Sequence, residues 1–179
     1  MISVLQLNMQ RSRTADHLLS QLAVEKGADI LLLSEQYRAR QSPSWYSDAS
    51  GTASIWVLDP GKVPVSENGV GNGFVWVKSR GVTFFSCYLT PNQCIADYRQ
   101  MIDSLEDEIS NISGGVIVTG DLEPERWSGA CRTPTRGASM SLIWLPERAS
   151  ISLMWVTCPP SVAPGMERRS RTYPLHLKG

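Results

Sequence analysis

The chain has 179 residues, of which 42% are apolar, and its formal net charge at pH 7 is zero. This length is enough to bury a core in one domain or in part of a larger one. The charge balance excludes a strongly basic protein that coats nucleic acid, although it is compatible with a local basic rim. No apolar segment is long enough to span a membrane, and the N-terminus is too short and polar for a secretory signal. The four cysteines are dispersed, which indicates reduced thiols. We therefore expect a soluble intracellular protein without membrane contact.

Predicted strands and helices alternate through the N-terminal part of the chain. The segment ISVLQLN is a β-rich apolar run that ends at Asn8. TADHLLSQLAVEKG is predicted to be a helix with its N-cap at Thr14 and its stop at Gly27. The next apolar run, ADILLLSE, predicts a buried strand that carries Glu35 at its C-terminal end, and residues 38–50 are predicted to form a loop.

Further strands and a second helix follow. The strands are predicted around Ile55–Leu58 in ASIWVL, from Gly73 in GFVWVKS, and over Val82–Leu89 in VTFFSCYL. Because no helix pattern follows them, a turn is predicted instead of a phosphate-binding loop at Gly69, Gly71 and Gly73. The second helix, IADYRQMIDSLEDEIS, has an apolar face made of Ile95, Tyr98, Ile102, Leu105 and Ile109. GGVIVTGD is then predicted to be a central strand that ends at Asp121.

The composition of the chain changes after residue 121. Beyond it there is no Asp, Asn, Gln or Phe, seven of the eleven prolines fall in this segment, and basic residues outnumber acidic ones eight to four. A segment of this kind is difficult to fold regularly. We therefore divide the chain into a structured part, residues 1–121, and a predicted irregular tail, residues 122–179.

Four polar residues lie where predicted apolar strands end: Asn8, Glu35, Tyr88 and Asp121. In layered α/β folds, ligand-binding and catalytic groups collect at one edge of a sheet. Two carboxylates with an amide and a phenol suit a magnesium ion beside a phosphodiester better than zinc, which favours His or Cys. Each residue also has a structural interpretation: a lone strand-end acid is often structural, a tyrosine at this place packs in the core, and Asn8 caps a turn.

The ordered motifs LQLNMQR, LLLSEQYR, SCYLTPN and VIVTGD resemble those of the endonuclease/exonuclease/phosphatase superfamily. Together with SGTASIWVL and GNGFVWVKSRGV, they are more closely similar to the apurinic-endonuclease-type nuclease domain of insect non-LTR retrotransposons that insert into ribosomal DNA. The resemblance covers about residues 1–121 and implies a two-sheet, four-layer α/β sandwich. We expect this sandwich to be incomplete, because most of the second sheet would fall in the altered tail and leave an apolar face exposed.

The resemblance also implies roles for individual residues. Glu35 matches the Mg²⁺ ligand, with Mn²⁺ as an alternative ion, and Asn8 matches the residue that supports the metal and the scissile phosphate. Tyr88 matches a phosphate contact, and Asp121 matches the acid that orients or deprotonates the attacking water. Asn92 falls where relatives touch the DNA backbone. Metal and polar donors would offset phosphate charge while a carboxylate activates water.

The tail departs from the family pattern. Glu123 stands where the family motif has Asn, no Asp follows Asp121, and His176 in YPLHLKG does not match the terminal Asp-His pair. His176 and His17 are predicted to be surface residues. The tail can be encoded by codons that also specify three peptides similar to family motifs when they are read in another frame. The three peptides share that one reading frame and occur in the order that the family has them. We therefore predict a net one-base deletion near residues 122–124 followed by truncation, with an ordinary Pro-rich extension as the alternative.

These features predict two functions from different classes. The first is a metal-dependent DNA endonuclease that nicks double-stranded DNA to prime reverse transcription, catalytically impaired in this chain and ancestrally fused to a reverse transcriptase. The second is a non-catalytic retrotransposon remnant or weak DNA-binding module. A phosphoinositide or sphingolipid substrate suits the superfamily but not the retrotransposon-like motifs. A functional protein of this kind would act in the nucleus, and the sequence gives no indication of an oligomeric state.

Overall fold

The computed structural model describes residues 2–38, 40–90, 95–121, 140–144, 151–157 and 171–174. Within these ranges the chain forms eleven strands and two helices. The strands are β1 (Ile2–Asn8), β2 (Ile30–Ser34), β3 (Trp45–Ser47), β4 (Ala53–Val57), β5 (Glu67–Gly71), β6 (Phe74–Ser79), β7 (Val82–Tyr88), β8 (Gly115–Asp121), β9 (Met140–Trp144), β10 (Ile151–Thr157) and β11 (Arg171–Pro174). The helices are α1 (Arg13–Lys26) and α2 (Ile95–Ser110).

The strands form two mixed sheets. The first sheet has the order β11-β10-β1-β2-β4-β3, and the second has the order β5-β6-β7-β8-β9. Parallel pairing joins β1 to both β2 and β10, and joins β7 to β8. The sheets pack face to face, with β2 against β7 and β8, and β4 against β6 and β7. This arrangement is the two-sheet α/β sandwich that the sequence predicts.

The core between the sheets contains alternate residues of each strand, which is the period that strand geometry imposes. Its buried members include Val4, Ile30, Leu32, Ile55, Val57, Val75, Val77, Phe84 and Ile117. The intervening residues face outwards and are covered by helices: α1 packs on the first sheet through Leu19 and Leu22, and α2 packs on the second through Met101 and Leu105. Four layers result, and the central strands are apolar on both faces because both faces are buried.

The expectation that the second sheet lies mostly beyond residue 121, with its apolar face exposed, is wrong. Residues 67–121 supply four of its five strands. On the inner face of these strands, Val75, Val77 and Phe84 have no exposed surface. Strands β5 to β8 pair with one another instead of extending the first sheet, so a core between two sheets forms before the composition changes.

Three strands lie in the segment that the sequence predicts to be irregular. β9 pairs antiparallel with β8, β10 pairs in parallel with β1, and β11 pairs with β10. The segments MSLIW and ISLMWVT supply β-forming residues to open sheet edges, which accounts for pairing despite the composition of the tail. The division at residue 121 and the altered reading frame remain predictions, and the rest of the tail lies outside the described residues.

Helix α1 begins earlier than predicted. Its N-cap is Ser12 and not Thr14, because Ser12 has extended backbone angles and its Oγ accepts a hydrogen bond from the N–H of Ala15 at 3.3 Å. The predicted stop is confirmed, since Gly27 caps the C-terminus in the left-handed conformation with φ 58°. Neither helix of the described ranges is long and apolar enough to cross a membrane.

Two edge strands replace predicted loop and turn residues. β3 lies within residues 38–50 and pairs with β4. Gly69 and Gly71 lie in β5 instead of in a turn, where their partners Trp76 and Phe74 place aromatic rings in the space that a Cβ atom would need. Short strands of this kind carry a weak sequence signal, because an edge strand buries little of its surface.

Candidate active site

Each sheet has a parallel strand pair that ends at two of the predicted site residues. On the parallel pair β1 and β2, Asn8 is the register partner of Ser34, the residue before Glu35. On the parallel pair β7 and β8, Tyr88 is the register partner of Asp121. Parallel strands place their C-terminal residues at one end of a sheet, so each sheet contributes two of the predicted site residues to its own carboxyl edge.

A buried hydrogen bond fixes how the two sheets meet at this edge. The Ser86 hydroxyl donates to the carbonyl of Leu33 at 2.9 Å. Ser86 precedes Tyr88 by two residues, and Leu33 precedes Glu35 by two residues. With a rise of about 3.3 Å per residue, each of these site residues lies roughly 7 Å along its strand from the shared bond. The Ser86–Leu33 bond therefore joins the two sheets two residues before Tyr88 on one strand and two residues before Glu35 on the other.

Asn8 caps the turn that follows β1. Its Oδ1 accepts a hydrogen bond from the N–H of Gln10 at 2.9 Å, and both Gln10 and Arg11 have positive φ angles, 48° and 50°. The N–H of Arg11 donates to the Glu35 carbonyl at 2.7 Å, which ties this turn to the end of β2. The structural interpretation of Asn8 is therefore confirmed. The turn also holds the amide at the site edge, so the predicted role beside a metal stays compatible with it.

Glu35 adopts a left-handed backbone conformation, with φ 51°, which is rare for a residue with a side chain. Its N–H donates to the Thr52 carbonyl at 2.8 Å, and its carbonyl accepts the bond from Arg11. These contacts impose a conformation that costs about 1–3 kcal/mol. Strain of this size concentrates at functional sites, so it supports the assignment of the half-buried Glu35 to the site.

A buried polar network that the sequence does not predict supports the segment after β2. The Gln36 side chain accepts a hydrogen bond from Ser54 Oγ at 2.6 Å and donates to the Gly51 carbonyl at 2.5 Å. Ser54 Oγ also lies 2.7 Å from Ser47 Oγ, to which the indole N–H of Trp45 donates at 2.9 Å. A glutamine after a strand has no distinctive sequence signal, so long-range contacts are needed to identify Gln36 as an anchor of the site.

Asp48 organises the loop whose Thr52 carbonyl accepts a hydrogen bond from the N–H of Glu35. Its carboxylate accepts the backbone N–H groups of Thr52 at 2.7 Å and Ala53 at 2.9 Å, and it also accepts the Ser50 hydroxyl. The carbonyl of Thr52 is in turn the acceptor for the N–H of Glu35. A buried carboxylate with several donors is fully satisfied, so Asp48 holds the loop in place instead of offering a free ligand.

Tyr88 lies at the end of β7, is 6% exposed and packs in the core between the sheets. The core interpretation is therefore confirmed for this residue, while its position at the strand end suits a phosphate contact. Asp121 ends β8 at the neighbouring register position. Asn92, Glu123 and His176 lie outside the described residues, so their predicted roles and positions stay predictions.

Two other reactive side chains are not part of the candidate site. Cys87 packs among the residues under α2, and burial raises the pKa of its thiol, which removes it as a nucleophile near neutral pH. His17 is exposed on α1, as predicted, and its Nε2 accepts a hydrogen bond from Arg13 Nε at 3.3 Å.

The donors at this edge are oxygen atoms. Glu35 supplies a carboxylate, Asn8 supplies an amide oxygen, and the buried Ser34 hydroxyl has no hydrogen-bond partner within the described ranges. No group of three or more His, Cys, Asp or Glu side chains able to hold a metal occurs in that part of the chain. Mg²⁺ suits oxygen donors of this kind, because it binds proteins through one or two carboxylates and keeps several waters.

Two solved structures share this architecture with a TM-score of at least 0.50, and a third matches with a lower score. The endonuclease domain of TRAS1, a telomere-specific non-LTR retrotransposon, matches with TM-score 0.50 and 28% identity, over 66% of this chain and 57% of that chain. Truncated Caenorhabditis elegans TDP2 matches with TM-score 0.51 and 15% identity, over 86% of this chain and 87% of that chain, which shows a shared fold. An AP endonuclease from Archaeoglobus fulgidus matches with TM-score 0.47 and 18% identity, over 69% of this chain and 60% of that chain.

The chain spans less than two-thirds of the TRAS1 and Archaeoglobus structures that it matches. No protein-family model and no curated protein matches it. The likeness therefore rests on the three-dimensional arrangement and on the moderate identity to the retrotransposon domain.

Proposed function

We propose that this chain, which has the fold of the endonuclease/exonuclease/phosphatase superfamily, is a metal-dependent DNA endonuclease domain of the apurinic-endonuclease type. The observation that carries the proposal is that one parallel strand pair ends at Asn8 and Glu35 and another ends at Tyr88 and Asp121. A hydrogen bond from Ser86 to Leu33 joins the two sheets two residues before Tyr88 and Glu35. The 28% identity to a retrotransposon endonuclease domain supports the same assignment. The substrate is double-stranded DNA, and the place of action is the nucleus.

Glu35 and Asn8 would hold Mg²⁺, or Mn²⁺ as the alternative ion. The bound ion would supply positive charge that polarises a phosphate oxygen. The left-handed backbone of Glu35 and the turn capped by Asn8 fix both donors in advance. Donors that are fixed before the reaction avoid reorganisation during it, which is how such sites stabilise developing charge.

Residues of the second sheet would act on the phosphate and the water. The Tyr88 hydroxyl donates to a phosphate oxygen, and Asp121 orients the attacking water and accepts its proton. Their pairing on parallel strands keeps the two residues at neighbouring positions. Asn92 contacts the DNA backbone beside the cleaved bond.

The nick would supply a 3′ end for reverse transcription in an element whose ancestor carried a reverse transcriptase. Cleavage by this chain is impaired, because Glu123 stands where the family motif has Asn and residues 122–179 contain no Asp. Each transition-state contact that is lost costs about 2.7–4 kcal/mol, or about 10²–10³ in rate. The same departures favour a second candidate function, in which the chain binds DNA without cutting it.

A plasmid-nicking assay with Mg²⁺ tests the proposal on this chain, on Asp121→Ala and on a frame-restored version, in which the reading frame is restored after residue 121 and the terminal Asp-His pair of the family is added. The frame-restored protein should nick supercoiled plasmid, and Asp121→Ala in that protein should lower the rate at least about 10²-fold. Asp103→Asn, which removes an exposed carboxylate on α2, is the matched control and should leave the rate unchanged.

Two results would contradict the proposal in different ways. Absence of metal-dependent nicking by the frame-restored protein would argue against the endonuclease function. Nicking by the present chain that Asp121→Ala abolishes would instead show that the chain is active and that the proposed impairment is wrong. Binding of DNA by the present chain without nicking would support the second candidate.

A further inference from the structure

An open depression of about 440 Å³ lies on the flank of the first sheet, where α1 faces the segment that follows Glu35. Its lining residues are Asp16, His17, Arg38, Arg40 and Gln41. None of them takes part in the chemistry proposed for the strand ends. We name this feature the arginine depression.

A buried carboxylate holds both arginines of the depression. Asp16 is 4% exposed, and its Oδ1 and Oδ2 lie 3.0 Å from Arg40 Nη2 and 3.3 Å from Arg38 Nε. Arg40 Nη2 also donates to the Asp16 carbonyl at 2.8 Å, and its guanidinium lies 5.4 Å and 5.1 Å from the ring centres of Trp45 and Trp56. Arg40 is therefore fixed by charge, hydrogen bonds and ring contacts.

The charge that remains accessible in the depression is positive. The single carboxylate of Asp16 faces two guanidinium groups. This carboxylate is buried, whereas the Arg38 side chain is 65% exposed. Within the described ranges, Arg38 pairs with Asp16 through Nε, which leaves its terminal Nη donors for another partner. Arg13, which bonds His17 at the rim, adds a further positive charge. A guanidinium held in this way presents paired donors that match the oxygens of a phosphate.

The depression lies close to the proposed site. Arg38 follows Glu35 by three residues, so the two Cα atoms are at most about 11 Å apart. Phosphates on one DNA strand are separated by about 3.4 Å along the helix axis, so this reach corresponds to about three nucleotides. The hydrogen bond from Arg11 to Glu35 also fixes the start of α1, and with it the depression, relative to the strand ends.

We propose that the arginine depression is a second phosphate-binding subsite, which takes a DNA backbone phosphate within about three nucleotides of the cleaved bond. Arg38 is the residue that contacts the phosphate, and Asp16 and Arg40 position it. The inference rests on the proposed function, because the ligand of the depression is the DNA duplex that the proposed active site would cut. It predicts that Arg38 contributes to affinity without sequence preference.

The test measures binding of the full chain to a fluorescent DNA duplex over a series of KCl concentrations, with EDTA present to prevent cleavage. Each phosphate contact that is lost should reduce the slope of log K against log salt by about 0.9. Arg38→Gln should show this reduction, and Arg38→Lys should keep the slope because it keeps the charge. The matched control is Arg80→Gln, at an exposed turn beside the N-terminal end of β7, the opposite end from Tyr88.

The outcomes separate this inference from the function on which it rests. The subsite is supported if the slope of log K against log salt is reduced in Arg38→Gln and not in Arg80→Gln. If the wild-type chain binds DNA but Arg38→Gln keeps the wild-type slope, or Arg80→Gln lowers it equally, the subsite is overturned and the nuclease proposal stands. If the wild-type chain shows no salt-dependent binding, both are overturned. Circular dichroism of Arg38→Gln should match wild type, since the side chain is mostly exposed.

Discussion

Among individual residues, Glu35 shows most clearly how the site is built. Its left-handed conformation is disfavoured by its own side chain, yet hydrogen bonds to Thr52 and from Arg11 hold it there. A glycine would adopt the same conformation without strain. The presence of a glutamate therefore indicates a role for the carboxylate, and it implies a conflict between stability and function at this position.

Glu35→Gly should raise the free energy of unfolding by about 1 kcal/mol, because it removes the strain of a positive φ angle. The same substitution should abolish metal-dependent nicking by the frame-restored protein. Urea unfolding followed by tryptophan fluorescence measures the first effect. Glu106→Gly, at an exposed position inside α2, is the matched control and should lower stability by about 1 kcal/mol. A loss of stability in both variants would show that Glu35 is not strained.

Among the strands, the parallel pair β7 and β8 sets the spacing of the second half of the site. Gly120 stands directly before Asp121, and a Cβ atom there would lie 2.1 Å from the carbonyl oxygen of Cys87 on β7. The close approach explains why a glycine precedes the acid at this strand end. It also means that the distance between Tyr88 and Asp121 depends on the absence of a side chain one residue away.

Gly120→Ala should therefore destabilise the protein by about 3 kcal/mol, because the clash is with backbone and β7 and β8 must separate. Gly27→Ala is the matched control: the Gly27 Cβ position has no neighbour within 4 Å, so only its positive φ angle opposes the change, at a cost of about 1–2 kcal/mol. Urea midpoints compare the two variants. Equal losses would mean that β7 and β8 tolerate a wider spacing than the structure shows.

For the complete fold, the strands of the tail matter because they cover edges. β10 pairs with β1 along all seven residues from Ile2 to Asn8, and β9 pairs with β8. Without them, two strands that are apolar on both faces would become sheet edges with unpaired N–H and C=O groups. The tail therefore contributes to the fold, although its composition resembles that of an irregular segment.

A variant that ends at Asp121 should associate and bind a hydrophobic dye more strongly than the full chain, because the exposed edges of β1 and β8 pair between molecules. Size-exclusion chromatography and dye fluorescence measure both effects. A variant that lacks only residues 175–179 removes none of the described strands and serves as the control. A monomeric residue 1–121 fragment with a cooperative unfolding transition would instead show that the two four-stranded halves are sufficient.

Local patterns identified the strand-end residues correctly, because a run of apolar residues and the polar residue that ends it are neighbours along the chain. Asn8, Glu35, Tyr88 and Asp121 all follow from such patterns, and so does the two-sheet class through the family resemblance. The sheet to which each strand belongs did not follow, since pairing depends on contacts between residues far apart in sequence. The strain at Glu35 and the charge around Arg38 could not be predicted from the sequence either, because both arise from loops without periodic patterns.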